Sequence, residues 1–146
     1  MSELNELYQE IILDHNKNPR NWGIIETPSN ASEGFNPLCG DHINLYVQIE
    51  NDRIIDIKFQ ATGCAISKSS ASIMTTLMKG KTLDEAKEIY NEFHEIITHG
   101  CADSELSNEN LEIFCGVKDY PSRVKCASLA WHTFLDAIDK NNNKGN

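Results

Sequence analysis

HINLYVQIENDRIIDIKFQATGC, residues 42–64, decides the fold. Its first nine residues alternate, with Ile43, Leu45, Val47 and Ile49 to one side and Asn44, Tyr46 and Gln48 to the other. That is the period of a half-buried strand. Asn51-Asp52 supplies a turn, and residues 53–60 alternate again, with Ile55, Ile57 and Phe59 expected on one face. Two such runs across a short polar turn predict a hairpin, hence an antiparallel pair. Gly63 then permits a tight turn, and the spacing predicts a helix over 65–79 whose apolar side carries Ile66, Ile73, Met74, Leu77 and Met78. Its serines (Ser67, Ser69, Ser70, Ser72) are weak helix formers, so packing rather than propensity must hold it. Small side chains also let another backbone come close.

Working outward, Leu4, Leu7, Tyr8, Ile11 and Ile12 have helical spacing and predict a first helix over 4–15, ended near Asn18-Pro19. Residues 20–41 read as loop, with a short strand expected near Ile24 to Ser32. Thr82 to Glu85 matches a capping box, and Leu83, Ala86, Tyr90, Phe93 and Ile97 continue a helix behind it. The pattern fails from His99 to Asn110, with a short helix expected over 109–114. Tyr120-Pro121 opens a last helix lined by Val124, Ala127, Trp131, Phe134 and Ile138. Residues 1–3 and 139–146 are expected to fray. The result is a single domain spanning 1–146, of α+β class: a small antiparallel sheet of about three strands with helices on one face.

The 146 residues carry a net charge of −9. An acidic surface of this kind repels phosphate backbones and anionic bilayers, which argues against nucleic acid or a membrane as partner. The opening MSELNELYQE has no apolar stretch of the kind a secretion signal needs. The cysteines are Cys39, Cys64, Cys101, Cys115 and Cys126. An odd number without a secretion signal favours reduced thiols used for metal or chemistry over a disulfide framework. Small buried hydrophobes are the bland alternative.

The fold plan brings some of these thiols together. Cys39 lies in the loop feeding the first long strand, and Cys64 in the loop leaving the second, at a helix N-terminus. Antiparallel pairing places both at one end of the sheet, together with Asp41. Cys126, in the first turns of the last helix, could dock there. Three thiols and a carboxylate suit a tetrahedral zinc. Gly40 would let Cys39 and Asp41 point the same way, and the positive end of a helix favours the Cys64 thiolate. The plainer readings are Cys39 as a loop thiol, Asp41 as a turn former, and Cys64 and Cys126 as packing. Cys126 stands about 200 degrees around the helix from Val124, off the main apolar stripe, which speaks for a special role. A rival set of His94, His99, Cys101 and Cys115 has nothing in the plan to join it. His15 and His132 read as core-edge or surface residues, and the His42 ring should point away from the Asp41 side chain.

The motifs NPLCGD (36–41), TGCAISKSSAS (62–72), KGKTLDEA (79–86) and PSRVKCASLAW (121–131), with YQEIILDHNKNPRNWG (8–23), closely resemble the SufU branch of the IscU/NifU N-terminal family. The resemblance runs from about Tyr8 to Ile138. It implies iron–sulfur cluster assembly in the cytoplasm and a zinc site of Cys39, Asp41, Cys64 and Cys126. It implies a zinc-dependent sulfurtransferase role: accepting persulfide sulfur from a cysteine desulfurase of the SufS type and relaying it to a downstream iron–sulfur scaffold complex. Cys39 matches the attacking thiolate, and Arg123 matches an arginine carried by that branch. Scaffold members carry a histidine immediately before the third cysteine. Here that position is Lys125, whose protonated amine has no lone pair for a metal. The segment from about His99 to Val117 resembles an insertion typical of the SufU branch. Arg123, one turn before Cys126, could offset the negative charge of a three-thiolate site. The alternatives are a scaffold that assembles iron or an iron–sulfur cluster on the same cysteines, and a purely structural zinc docking domain.

Overall fold

A computed structural model describes residues 2–37, 40–100, 109–117 and 120–144. In chain order it contains α1 (Ser2–Lys17), β1 (Asn30–Asn36), β2 (Asp41–Glu50), β3 (Arg53–Thr62), α2 (Ala65–Met78), α3 (Leu83–His99), a 3-10 helix (Glu109–Phe114) and α4 (Pro121–Lys144). The strands form one antiparallel sheet in the order β1-β2-β3. Helices α2 and α4 pack on the sheet, α1 packs on α2, and α3 on α4. The expected α+β architecture is therefore present.

The β2–β3 hairpin turns on Asn51 (φ 53) and Asp52 (φ 62). Two central residues at positive φ match the right-handed twist of the flanking strands. One expectation fails inside it. Gln48 faces Asp56 but Ile49 faces Ile54, so Ile55 is an extra residue on β3. This bulge reverses the alternation: Ile54 is fully buried, while Ile55, expected in the core, is 42% exposed. A bulge is invisible to a period-two reading because it changes the phase and leaves the composition unchanged.

The first strand also lies elsewhere than expected, at Asn30–Asn36 rather than near Ile24 to Ser32. Its sequence, NASEGFN, has little strand propensity, and pairing with β2 overrides it. Gly34 is needed there because α4 crosses it closely: a Cβ would sit 2.1 Å from Thr133 Oγ1. The outer edge of β3 is covered by Asn21 to Gly23, through Gly23 N–H to Phe59 O (2.9 Å) and Phe59 N–H to Asn21 O (3.1 Å).

The serine-rich α2 is held as its composition requires. Ser67, Ser69, Ser70 and Ser72 are all buried. Ser70 Oγ donates to Ala127 O (2.6 Å) and accepts from Trp131 Nε1 (3.0 Å), tying α2 to α4. Ser72 Oγ accepts from the Arg20 amide (2.8 Å) and pairs with His15 Nδ1 (2.7 Å), tying α2 to α1. Trp131 stacks on Phe93 at 4.0 Å, with Phe114 edge-on to both. The Thr82–Glu85 capping box is present with both bonds. Among the described residues no helix is long and apolar enough to cross a membrane.

Candidate metal centre

Asp41 is the first residue of β2, fully buried, and faces Asn36 across the β1–β2 hairpin. Its neighbour His42 faces Thr62, so Asp41 lies beside the Gly63-Cys64 step that leaves β3. Cys64 is the N-cap of α2. Its amide donates to Asp41 Oδ1 at 2.9 Å, and its Sγ lies 4.0 Å from Asp41 Oδ2. The Ser67 amide donates to Cys64 Sγ at 3.4 Å. Both groups thus draw on unpaired N–H donors at the start of α2, which favour negative charge.

Cys126, in the second turn of α4, is 4% exposed. Asp41, Cys64 and Cys126 each offer one donor atom, all within 4.8 Å of one another. A tetrahedral zinc with bonds of roughly 2.0–2.3 Å spaces its ligand atoms about 3.3–3.8 Å apart. Two thiols and a carboxylate at this spacing fit such an ion in both chemistry and size. Among the described residues this is the only gathering of three such groups.

Cys39 lies outside the described residues. Gly40, between it and Asp41, has φ 70, in the left-handed region, with open space where a Cβ would stand. Arg123 is exposed on the first turn of α4, with its guanidinium over the Tyr120 ring at 5.6 Å. It lines a cavity of about 480 Å³ together with Gln9, Ile12, Ile66, Cys64 and Cys126. The walls supplied by α1 were not singled out from the sequence, because amphipathic spacing marks a buried face without saying what it covers.

The remaining candidates go elsewhere. His15 binds Ser72, and burial, then the Arg20 guanidinium, push its pKa down against the pull of Asp14. His132 pairs with Tyr90 OH (3.2 Å), and its pKa is lowered by burial and by His94. His42 pairs with Glu33. His94 and His99 are exposed on α3. Cys101 lies outside the described residues. Cys115 is disulfide-bonded, which departs from the expectation of reduced thiols at that position. Cys64 and Cys126 are outside any disulfide.

The family model for the NifU-like N-terminal domain matches residues 7–127. The zinc-dependent sulfurtransferase SufU of Bacillus subtilis is 36% identical over 95% of this chain and 94% of its own length. The iron–sulfur cluster assembly scaffold protein IscU of Streptococcus pyogenes is 36% identical over 98% of this chain and 89% of its own. A solved structure from Fervidobacterium islandicum, described as a cluster assembly scaffold protein for the SUF system, superposes with TM-score 0.77 at 38% identity. It covers 88% of this chain and 94% of that one. The chain belongs to the NifU-like N-terminal domain family of iron–sulfur cluster assembly proteins.

Proposed function

We propose that the protein is a zinc-dependent sulfur acceptor that takes persulfide sulfur from a cysteine desulfurase of the SufS type and passes it to the cluster-building machinery in the cytoplasm. The observation that carries this reading is the gathering of Asp41, Cys64 and Cys126 at the N-terminus of α2. Cys39 is the fourth ligand in this reading, tethered two residues from Asp41, within about 7 Å of chain. Lys125 occupies the position where scaffold relatives use a histidine, which favours the SufU branch.

Bound zinc would hold the thiols as thiolates at neutral pH and protect them from oxidation. The reacting group is the Cys39 thiolate. It attacks the outer sulfur of the desulfurase persulfide, a new S–S bond forms on Cys39, the old S–S bond breaks, and the desulfurase cysteine leaves as a thiolate. No oxidant or reductant is consumed. Asp41, Cys64 and Cys126 stay on the folded framework and keep the site assembled. Arg123, at the rim of the adjoining cavity, supplies positive charge to the incoming persulfide anion.

The test is desulfurase turnover with zinc-loaded and zinc-stripped protein, alongside metal analysis. About one zinc per chain, stimulation by the loaded form only, and loss of stimulation in Cys39→Ser are expected. A Cys39→Ser variant that stimulates like wild type refutes the relay. The names of the IscU relatives favour one second reading, a scaffold on the same cysteines. Anaerobic reconstitution that yields a stable, transferable cluster would select it.

A further inference from the structure

Gly63 stands directly before Cys64 with φ 131, a conformation L side chains rarely adopt. The space around it is more telling than its dihedral. A Cβ at residue 63 would meet Asp41 Oδ1 at 2.2 Å, Asp41 Cα at 2.8 Å and Asp41 Cγ at 3.0 Å. The missing side chain is therefore a notch, and the Asp41 carboxylate fills it. At the back of the notch the Cys64 amide holds Oδ1 at 2.9 Å, while Oδ2 faces Cys64 Sγ at 4.0 Å.

We propose that Gly63 is a positioning residue for the metal centre: its bare backbone lets the Asp41 carboxylate lie against the Gly63-Cys64 step, so Oδ1 is retained by the protein and Oδ2 alone is offered to the ion. This rests on the zinc reading above and adds how the oxygen ligand is set. A carboxylate presented edge-on can give an ion both oxygens and raise its coordination number. One with an oxygen held by a backbone amide gives a single donor, which suits the four-ligand preference of zinc over the higher numbers taken by harder cations. Any side chain at 63 collides with the carboxylate and, at Asp41 Cα, with the strand itself.

The experiment measures zinc affinity by competition with a chromophoric chelator, and the visible spectrum of the cobalt-loaded protein, for wild type, Gly63→Ala, Asp41→Ala and the double variant. Gly63→Ala is expected to weaken zinc binding by about 10- to 100-fold, as loss of a group supporting a ligand does, and to shift the cobalt bands. In the Asp41→Ala background, Gly63→Ala should cost clearly less than in wild type, because the part acting through the carboxylate is gone while the clash with the residue-41 Cα and the strain at φ 131 remain. Additive losses in the double variant, or wild-type affinity and spectrum in Gly63→Ala, overturn the proposal alone. A wild type that binds neither metal overturns the zinc reading and this proposal with it. Infrared difference spectra of zinc-loaded against zinc-free wild type need no variant and cover the case in which Gly63→Ala does not fold. A wide splitting between the carboxylate stretches marks one-oxygen binding, and a narrow splitting overturns the proposal.

Discussion

Ser70→Ala tests how the two helices that carry the candidate donors Cys64 and Cys126 are held together. Ser70 is fully buried, and its hydroxyl bridges α2, capped by Cys64, to the Ala127 carbonyl beside Cys126. The same oxygen accepts the indole N–H of Trp131, itself fully buried. Truncation leaves that N–H without its partner, at a cost of about 1–3 kcal/mol, and removes a bond of net worth about 1 kcal/mol. The Ala127 carbonyl keeps its helical partner, and removing the hydroxyl relieves its own desolvation. The expected loss is about 2 kcal/mol, or roughly 4–8 °C in Tm for a chain of this size.

The assay is urea unfolding of chelator-treated protein, followed by tryptophan fluorescence and far-UV circular dichroism. Ser69→Ala is the control, because Ser69 Oγ bonds only Ile66 O of its own helix (3.2 Å), and it should cost less than about 1 kcal/mol. In a Trp131→Phe background the indole N–H is gone, so Ser70→Ala should cost about 1 kcal/mol less than in wild type. A Ser70→Ala midpoint within about 0.5 kcal/mol of wild type, or no coupling to Trp131, would refute the assignment of this bridge.

The β3 bulge predicts that Ile54→Ala costs about 2–4 kcal/mol and Ile55→Ala less than about 1 kcal/mol in the same unfolding assay; a larger loss in Ile55→Ala than in Ile54→Ala would restore the unbroken alternation. Gly40 has open space around it and a φ that asparagine tolerates, so Gly40→Asn should cost about 1 kcal/mol or less and leave zinc affinity within about threefold. Zinc binds the native state alone in this reading, so chelation should lower Tm, with about 4 kcal/mol lost from a starting excess of a thousand dissociation constants; an unchanged Tm argues against the centre. His15 and His132 both have folded pKa values below the unfolded value near 6.5. The unfolded chain therefore binds more protons, and stability is full above about 6.5 and falls as pH drops through that value toward the folded ones. Measured without metal, His15→Gln should flatten part of that fall.

The readable parts of the sequence were those with local causes. Alternation marked β2 and β3, Thr82 and Glu85 marked the start of α3, and Pro121 marked α4. Antiparallel pairing then fixed which end of the sheet carries Asp41 and Cys64, so the meeting of those two groups was legible from strand polarity alone. Cys126 was legible only as an exception, a thiol off the Val124 stripe, and it is buried against the other two. What stayed hidden had tertiary causes. NASEGFN becomes a strand because β2 offers an edge and α4 needs Gly34. Ile54 enters the core because one residue bulges after it.

The two glycines flanking the site illustrate the difference between a motif and its physics. In sequence, Gly40 precedes Asp41 and Gly63 precedes Cys64, each an apparent turn former beside a candidate ligand. In space they do different things. Gly40 is used for its dihedral alone, in open surroundings. Gly63 is used for the volume it lacks, which Asp41 occupies. The framework thereby treats its donors unequally. Asp41 and Cys64 share the amides at the start of α2, and Cys126 is locked in a buried helix face. Cys39 is attached through Gly40, the one of these two glycines that nothing packs against. In the proposed relay the centre surrenders a sulfur ligand and stays assembled, and this division suits that task, because the free energy holding three donors in place would not oppose the departure of the fourth.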